Sequence, residues 1–155
     1  MISNQLSTSA LAILIAALVG CSGDDPVTPE QLIGEYVLLQ VNGEDLPSTT
    51  WTSEGMSEEA TAGQLILEPA PTATPTDISG GQYSLSLDLR TNLGGGTVET
   101  SLADHGFWTL DGDRLSFETG SPTLALSGNV IEGVIVLEMA RVGTPEPQPR
   151  FTFTR

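Results

Sequence analysis

Few side chains in this 155-residue sequence can do covalent or acid–base chemistry, and their spacing narrows the choice. Cys21 is the only cysteine and His105 the only histidine. A thiolate is a good nucleophile, and a lone cysteine has no intramolecular disulfide partner. Cys21 directly follows Gly20, at the end of an apolar run that begins at Ala10. That placement points to modification of the thiol rather than to catalysis. His105 follows Asp104 in a serine-rich sequence, so a Ser-His-Asp relay can be written down. No nucleophile-elbow motif accompanies it, and an ordinary loop histidine is the expectation. Zinc needs more His or Cys ligands than the chain owns. Asp111 and Asp113 flank Gly112, with Asp104 upstream, and calcium accepts such oxygen donors. Yet Asp-Gly at a hairpin tip has a plain turn explanation, and the other EF-hand ligands are missing, so no metal ligand is assigned. Gly94-Gly95-Gly96 stands in no strand-to-helix context and reads as turn chemistry, not a phosphate cradle. The expectation is a protein that is no enzyme, with no catalytic residue and no cofactor.

The element that positions Cys21 is the run from Ala10 to Val19, which contains neither charge nor proline. It is too short to cross a bilayer, which takes roughly twenty apolar residues, but it fits the hydrophobic region of a signal peptide. Leu18-Val19-Gly20-Cys21 resembles the lipobox of bacterial lipoproteins: a branched apolar residue, two small or β-branched residues, then cysteine. The small Gly20 gives a peptidase access to the bond, and the Cys21 thiol takes a diacylglyceryl group. The resemblance implies a signal peptide over residues 1–20, a lipidated cysteine with a flexible tether over 21–30, and a folded domain over 31–155. Its membrane partner is reached through acyl chains on Cys21, each buried methylene contributing about 0.8 kcal/mol. Ser22 after the cysteine implies, within that family, the outer membrane of the cell envelope as the address.

Charge narrows the partners further. Five Arg, no Lys and twenty Asp plus Glu leave a formal net charge of −15. Nucleic acid rewards clustered Lys and Arg, and so does anionic lipid, so neither is an expected partner of the domain. A self-repelling, soluble surface explains the acidity; a surface for cations or a basic partner is the alternative.

The rest of the chain alternates apolar and polar residues over short runs. Gln82–Arg90 is the clearest: Tyr83, Leu85, Leu87 and Leu89 share one face, and Ser84, Ser86, Asp88 and Arg90 the other. Period two with one wet face belongs to an antiparallel sheet. Further strands are expected over Gly34–Val41, Gln64–Glu68, Thr97–Leu102 and Phe151–Arg155. A hairpin is expected from Phe107–Leu110 and Leu115–Phe117 about Asp111–Arg114, and another from Thr123–Ser127 and Val130–Met139 about Gly128-Asn129. Ser48–Ala62, Pro69–Gly81 and Val142–Pro149 read as loops. About eight short strands and no insistent helix give an all-β protein, a small antiparallel up-and-down β-barrel, whose closure removes exposed sheet edges.

Three stretches together resemble the lipocalin-like domains of bacterial lipoproteins. They are Leu32–Leu38 with Val41–Pro47, the run Gly106–Phe117, and the ending Ser127–Ile131 with Phe151–Arg155. The resemblance implies an eight-stranded calycin-type barrel with a candidate cavity for a small hydrophobic ligand. It also implies a closure device, in which Gly34 and Tyr36 stand for the family's Gly-x-Trp and Arg155 supplies the cation over the ring. Tyr83, Leu85, Leu87, Trp108 and Phe117 would line the cavity; they could equally fill a solid core, since eight strands permit both. Two functions stay open. One is a cell-envelope lipoprotein that binds a small hydrophobic ligand, marked by an apolar void behind Tyr83 and Trp108. The other is a solid barrel that serves as a protein-interaction module for an envelope partner, in stress response, assembly or protease inhibition, marked by an exposed edge in Ser48–Ala62 or Pro69–Gly81.

Overall fold

Alternation of apolar and polar residues becomes strand almost throughout the computed structural model, which describes residues 26–71, 79–143 and 147–155. Leu18, Val19, Gly20 and Cys21 lie outside the described residues. A short helix α1 (Pro29–Leu32) precedes ten strands: β1 (Gly34–Val41), β2 (Glu44–Asp45), β3 (Ser48–Ser53), β4 (Met56–Pro69), β5 (Gly80–Asn92), β6 (Thr97–Asp111), β7 (Arg114–Thr119), β8 (Leu124–Ile131), β9 (Val134–Arg141) and β10 (Arg150–Thr154). All pair antiparallel in one sheet, and β1 also pairs with β4, Gly34 opposite Leu67 and Val37 opposite Gln64. That pairing closes an eight-stranded barrel from β1 and β4–β10. Beyond Val37 the two closing strands part. β2 takes the β1 edge at Gln40-Val41, and β3 takes β4 over Met56–Ala60, filling the wedge between them.

Inward positions carry the core. Tyr36, Leu65, Leu87, Trp108, Ile135 and Phe153 each keep 1% or less of their surface exposed. Between them they come from six of the eight barrel strands, so the barrel has a single core.

Three expectations about elements need correction. Ser48–Ala62 is no loop but β3 and the start of β4, turning at Glu54-Gly55. Its buried positions are held by Ser48, Thr50, Glu58 and Ala60, so the alternation exists without large apolar residues to advertise it. Thr97–Leu102 and Phe107–Leu110 are one fifteen-residue strand, β6, because a buried carboxylate, Asp104, occupies the inward position between them. Gly128-Asn129 is not a turn either; β8 runs through it and the chain reverses at Glu132-Gly133, with φ of 52° and 80°. Gly128 is needed for room: a Cβ there would stand 2.6 Å from Leu137 Cδ2 and 2.8 Å from the Val136 carbonyl oxygen. The Asp111–Arg114 hairpin forms as read, with Asp111 paired to Arg114.

Helix α1 plugs one end of the barrel. Its Gln31 side chain accepts a hydrogen bond from the Thr28 backbone N–H at 2.9 Å, fixing the entry of the chain. The helix includes Pro29 and Glu30, assigned above to the tether, and Val27 already packs against the core.

Candidate functional site

At the plugged end the structure brings Gly34, Tyr36 and Arg155 together. The Tyr36 hydroxyl donates to the Leu32 carbonyl at 2.8 Å, and the Arg155 guanidinium lies 5.0 Å from the centre of the Tyr36 ring. Arg155 Nη2 also donates to the carbonyls of Gln31 (2.6 Å) and Ile33 (2.8 Å), binding the last strand to the helix. Gly34 has φ of 153°, and a Cβ on it would press the guanidinium at 3.3 Å. Burial raises the Tyr36 pKa, and Arg155 opposes that rise only in part. The arrangement is mechanical: a cation–π contact worth about 0.5–2 kcal/mol that ties the end of the chain to the first strand.

The residues proposed as a cavity lining all belong to the inner wall or its edge. Tyr83, Leu85, Leu87 and Trp108 are 1–3% exposed, and Phe117, half-buried, meets the Tyr83 ring edge-on at 5.0 Å. The space among Leu85, Leu87, Leu126, Leu137, Met139, Phe151 and Phe153 is too narrow to admit a water molecule. A void able to hold a ligand would leave its lining in contact with water-sized space, and these side chains have almost none. Trp108 also spends its indole N–H on the Glu68 carbonyl at 3.2 Å, which leaves that donor engaged.

Two polar clusters near the other end, the mouth, have no apolar signature in the sequence. In the first, the Tyr83 hydroxyl donates to Asp104 Oδ2 at 2.5 Å, and Asp104 Oδ1 accepts the Ser121 backbone N–H at 3.1 Å. Burial, then the hydrogen bond and charge of Asp104, push the Tyr83 pKa far above the usual tyrosine range. The carboxylate thus pins the β7–β8 connection to the barrel wall. In the second, inward-facing Glu58 on β4 meets Arg141 on β9 across the mouth, and Thr50 Oγ1 donates to Glu58 Oε1 at 2.9 Å. This ion pair is a strut between two walls that share no backbone pairing.

His105 stands in mid-strand, exposed, on the face of β6 opposite to buried Asp104, so the two side chains cannot form a relay. Their position in a strand corrects the expected loop. Asp111 and Asp113 are exposed at the β6–β7 turn. Among the described residues no three His, Cys, Asp or Glu side chains gather as a metal site. An open depression of about 460 Å³ lies among Thr61, Asp88, Leu89, Glu99, Thr100 and Ser101, with a mixed, mainly polar lining. Sequence reasoning finds the closure residues through the resemblance but misses Glu58, Arg141 and Thr50, which lie in polar contexts with no recognisable spacing. Compared with protein-family models, with curated proteins and with solved structures, the chain matches none.

Proposed function

We propose that the protein is a lipid-anchored component of the cell envelope, held by acyl chains on Cys21, whose lipocalin-like barrel works through its outer surface as a protein-interaction module. The observation that favours surface action is the interior. Leu85 and Leu87 pack against Phe151, Phe153 and Met139 without room for water, and Glu58 and Arg141 span the mouth above them. A ligand carrier would need that space empty and that mouth open. The anchor rests on the order Leu18-Val19-Gly20-Cys21 after an apolar run of signal-peptide length.

Each half has its own test. In a bacterial host the Cys21→Ala chain should leave the membrane fraction, whereas the unaltered chain stays there after a high-salt wash. Retention of the variant defeats the anchor. Mass spectrometry of an organic extract of the natively purified protein should show no stoichiometric lipid or pigment, and Trp108 fluorescence should ignore added fatty acids. A one-to-one extract would restore the ligand carrier.

A further inference from the structure

The barrel wall carries an unpaired edge. β6 pairs with β5 from Thr97 to Thr109, but with β7 only from Gly106 to Asp111. The last bond on the β7 side runs from the Gly120 N–H to the His105 carbonyl at 2.8 Å. Because Leu110 donates to Ser79 on the β5 side, even-numbered residues of β6 bond to β5 and odd-numbered ones face outward. The N–H and C=O groups of Thr97, Glu99, Ser101 and Ala103 therefore meet no strand among the described residues, and all four residues are exposed.

Natural edges are usually blunted by proline, lysine, a bulge or sheer shortness. β2 is two residues long and β3 is bulged between Thr49 and Trp51. Thr97–Ala103 carries a single charge, Glu99, but no proline, lysine or bulge, and it holds β-branched Thr97, Val98 and Thr100.

We infer that this edge pairs with the same edge of a second copy of the chain, antiparallel about a two-fold axis through Thr100. The register follows from three constraints. Outward-facing residues must pair with outward-facing residues, so the axis passes through one residue of the stretch. Centring on Glu99 would set two carboxylates face to face, which is repulsive. Centring on Ser101 would drive Thr97 of the second copy onto the position beside His105 that Gly120 already fills. Centring on Thr100 satisfies all three. Thr97 then meets Ala103 and Glu99 meets Ser101 as hydrogen-bonded pairs, while Val98 meets Leu102 and Thr100 meets its own copy as close non-hydrogen-bonded pairs. The stretch fits itself end to end, bounded by the Leu93–Gly96 turn on one side and Gly120 on the other. Val98, 46% exposed, and half-buried Leu102 cover each other on one face. Glu99, the one ionisable group in the stretch, faces a hydroxyl. This pairing is a property of the strand and stands whether or not Cys21 is lipidated.

The test uses cysteine as a ruler in the full chain carrying Cys21→Ser, so that each variant holds a single thiol. Non-hydrogen-bonded cross-strand partners lie close enough for a disulfide. Thr100→Cys should therefore cross-link to itself under mild oxidation. Val98→Cys alone and Leu102→Cys alone should not, but a mixture of those two should. Ser101→Asp, which sets a carboxylate opposite Glu99 at two symmetric places, should weaken association about tenfold at low salt while leaving the barrel folded. Because each copy carries a formal charge of −15, association should tighten as salt is added. A chain that sediments as a monomer at every salt concentration overturns the inference. So does a Val98→Cys chain that cross-links to itself as fast as Thr100→Cys.

Discussion

The Tyr83 hydroxyl donates to a carboxylate that has left water, and both groups depend on that bond. With Tyr83→Phe, Asp104 Oδ2 keeps its burial and loses its donor, at a cost of about 1–3 kcal/mol near neutral pH. Urea titration of the variant against the parent measures this directly. The same pair ties stability to alkaline pH. Burial and the Asp104 charge raise the Tyr83 pKa in the folded chain, while in the unfolded chain it stays near the ordinary value of about 10. Below pH 10 both states hold the proton and the contribution is complete. Above it the unfolded chain releases the proton and the folded one does not, so stability falls as the pH climbs toward the raised value. Thermal melts between pH 8 and 11 should show that decline in the parent and a shallower one in Tyr83→Phe. The residual slope belongs to Tyr36, whose pKa is raised as well. None of this is visible in the sequence, where Asp104 looks like a surface residue beside His105. Only the placement of Asp104 on the inner face of β6, opposite Leu85, turns it into a buried acceptor.

β3 and the first half of β4 are the elements that sequence reading missed most completely, and the reason is physical. Period-two patterns announce a strand through large apolar side chains, and here the inward positions hold Ser48, Thr50, Glu58 and Ala60. These residues keep the strands in place by polar bonds instead. Ser48 Oγ donates to the Val41 carbonyl at 3.1 Å, and Thr50 and Arg141 converge on Glu58. Where apolar alternation does the holding, as in Gln82–Arg90, the strand is legible and extends only a residue or two further than read. Glu58→Gln keeps the shape of the side chain and removes its charge, which should cost about 1–3 kcal/mol for a partly buried pair. The loss should be local. Hydrogen exchange in Ser48–Ala60 should speed up about tenfold or more, while amides of the β8–β9 hairpin change little. A uniform acceleration over the whole barrel would mean that the strut belongs to the global fold and not to the mouth.

Across the whole molecule the closure was legible and the seam was not. Regular spacing of short strands implies a barrel, because open edges are hazardous, but it does not say which strands meet. The meeting of β1 with β4 depends on β2 and β3 filling the wedge beyond Val37, and those are the elements hidden in polar sequence. Charge acts at this scale too. With a formal net charge of −15 and one partly buried ion pair among the described residues, self-repulsion opposes compaction more than screened surface pairs support it. The melting temperature should therefore rise between low salt and about 0.5 M sodium chloride, where exposed charges beyond a few ångströms no longer interact. A fall would mean that exposed pairs such as Arg90–Glu99 carry more stability than their exposure suggests.

Arg155 reaches back to the carbonyl of Gln31, so the residue after β10 touches the helix before β1. The barrel is a ring of neighbours, and the covalent order in which they are strung is one reading of it among several. A short linker from residue 155 back to α1, with new ends cut at the Glu132-Gly133 turn, would leave every strand beside its present partners. Such a circular permutant should fold to the same barrel, giving up about 1–2 kcal/mol to altered loop closure. The cut moves the barrel's free ends to the β8–β9 turn, at the same end of the barrel but two strands round from β1, so β8 or β9 could carry a tag or a surface anchor in place of the residues before α1.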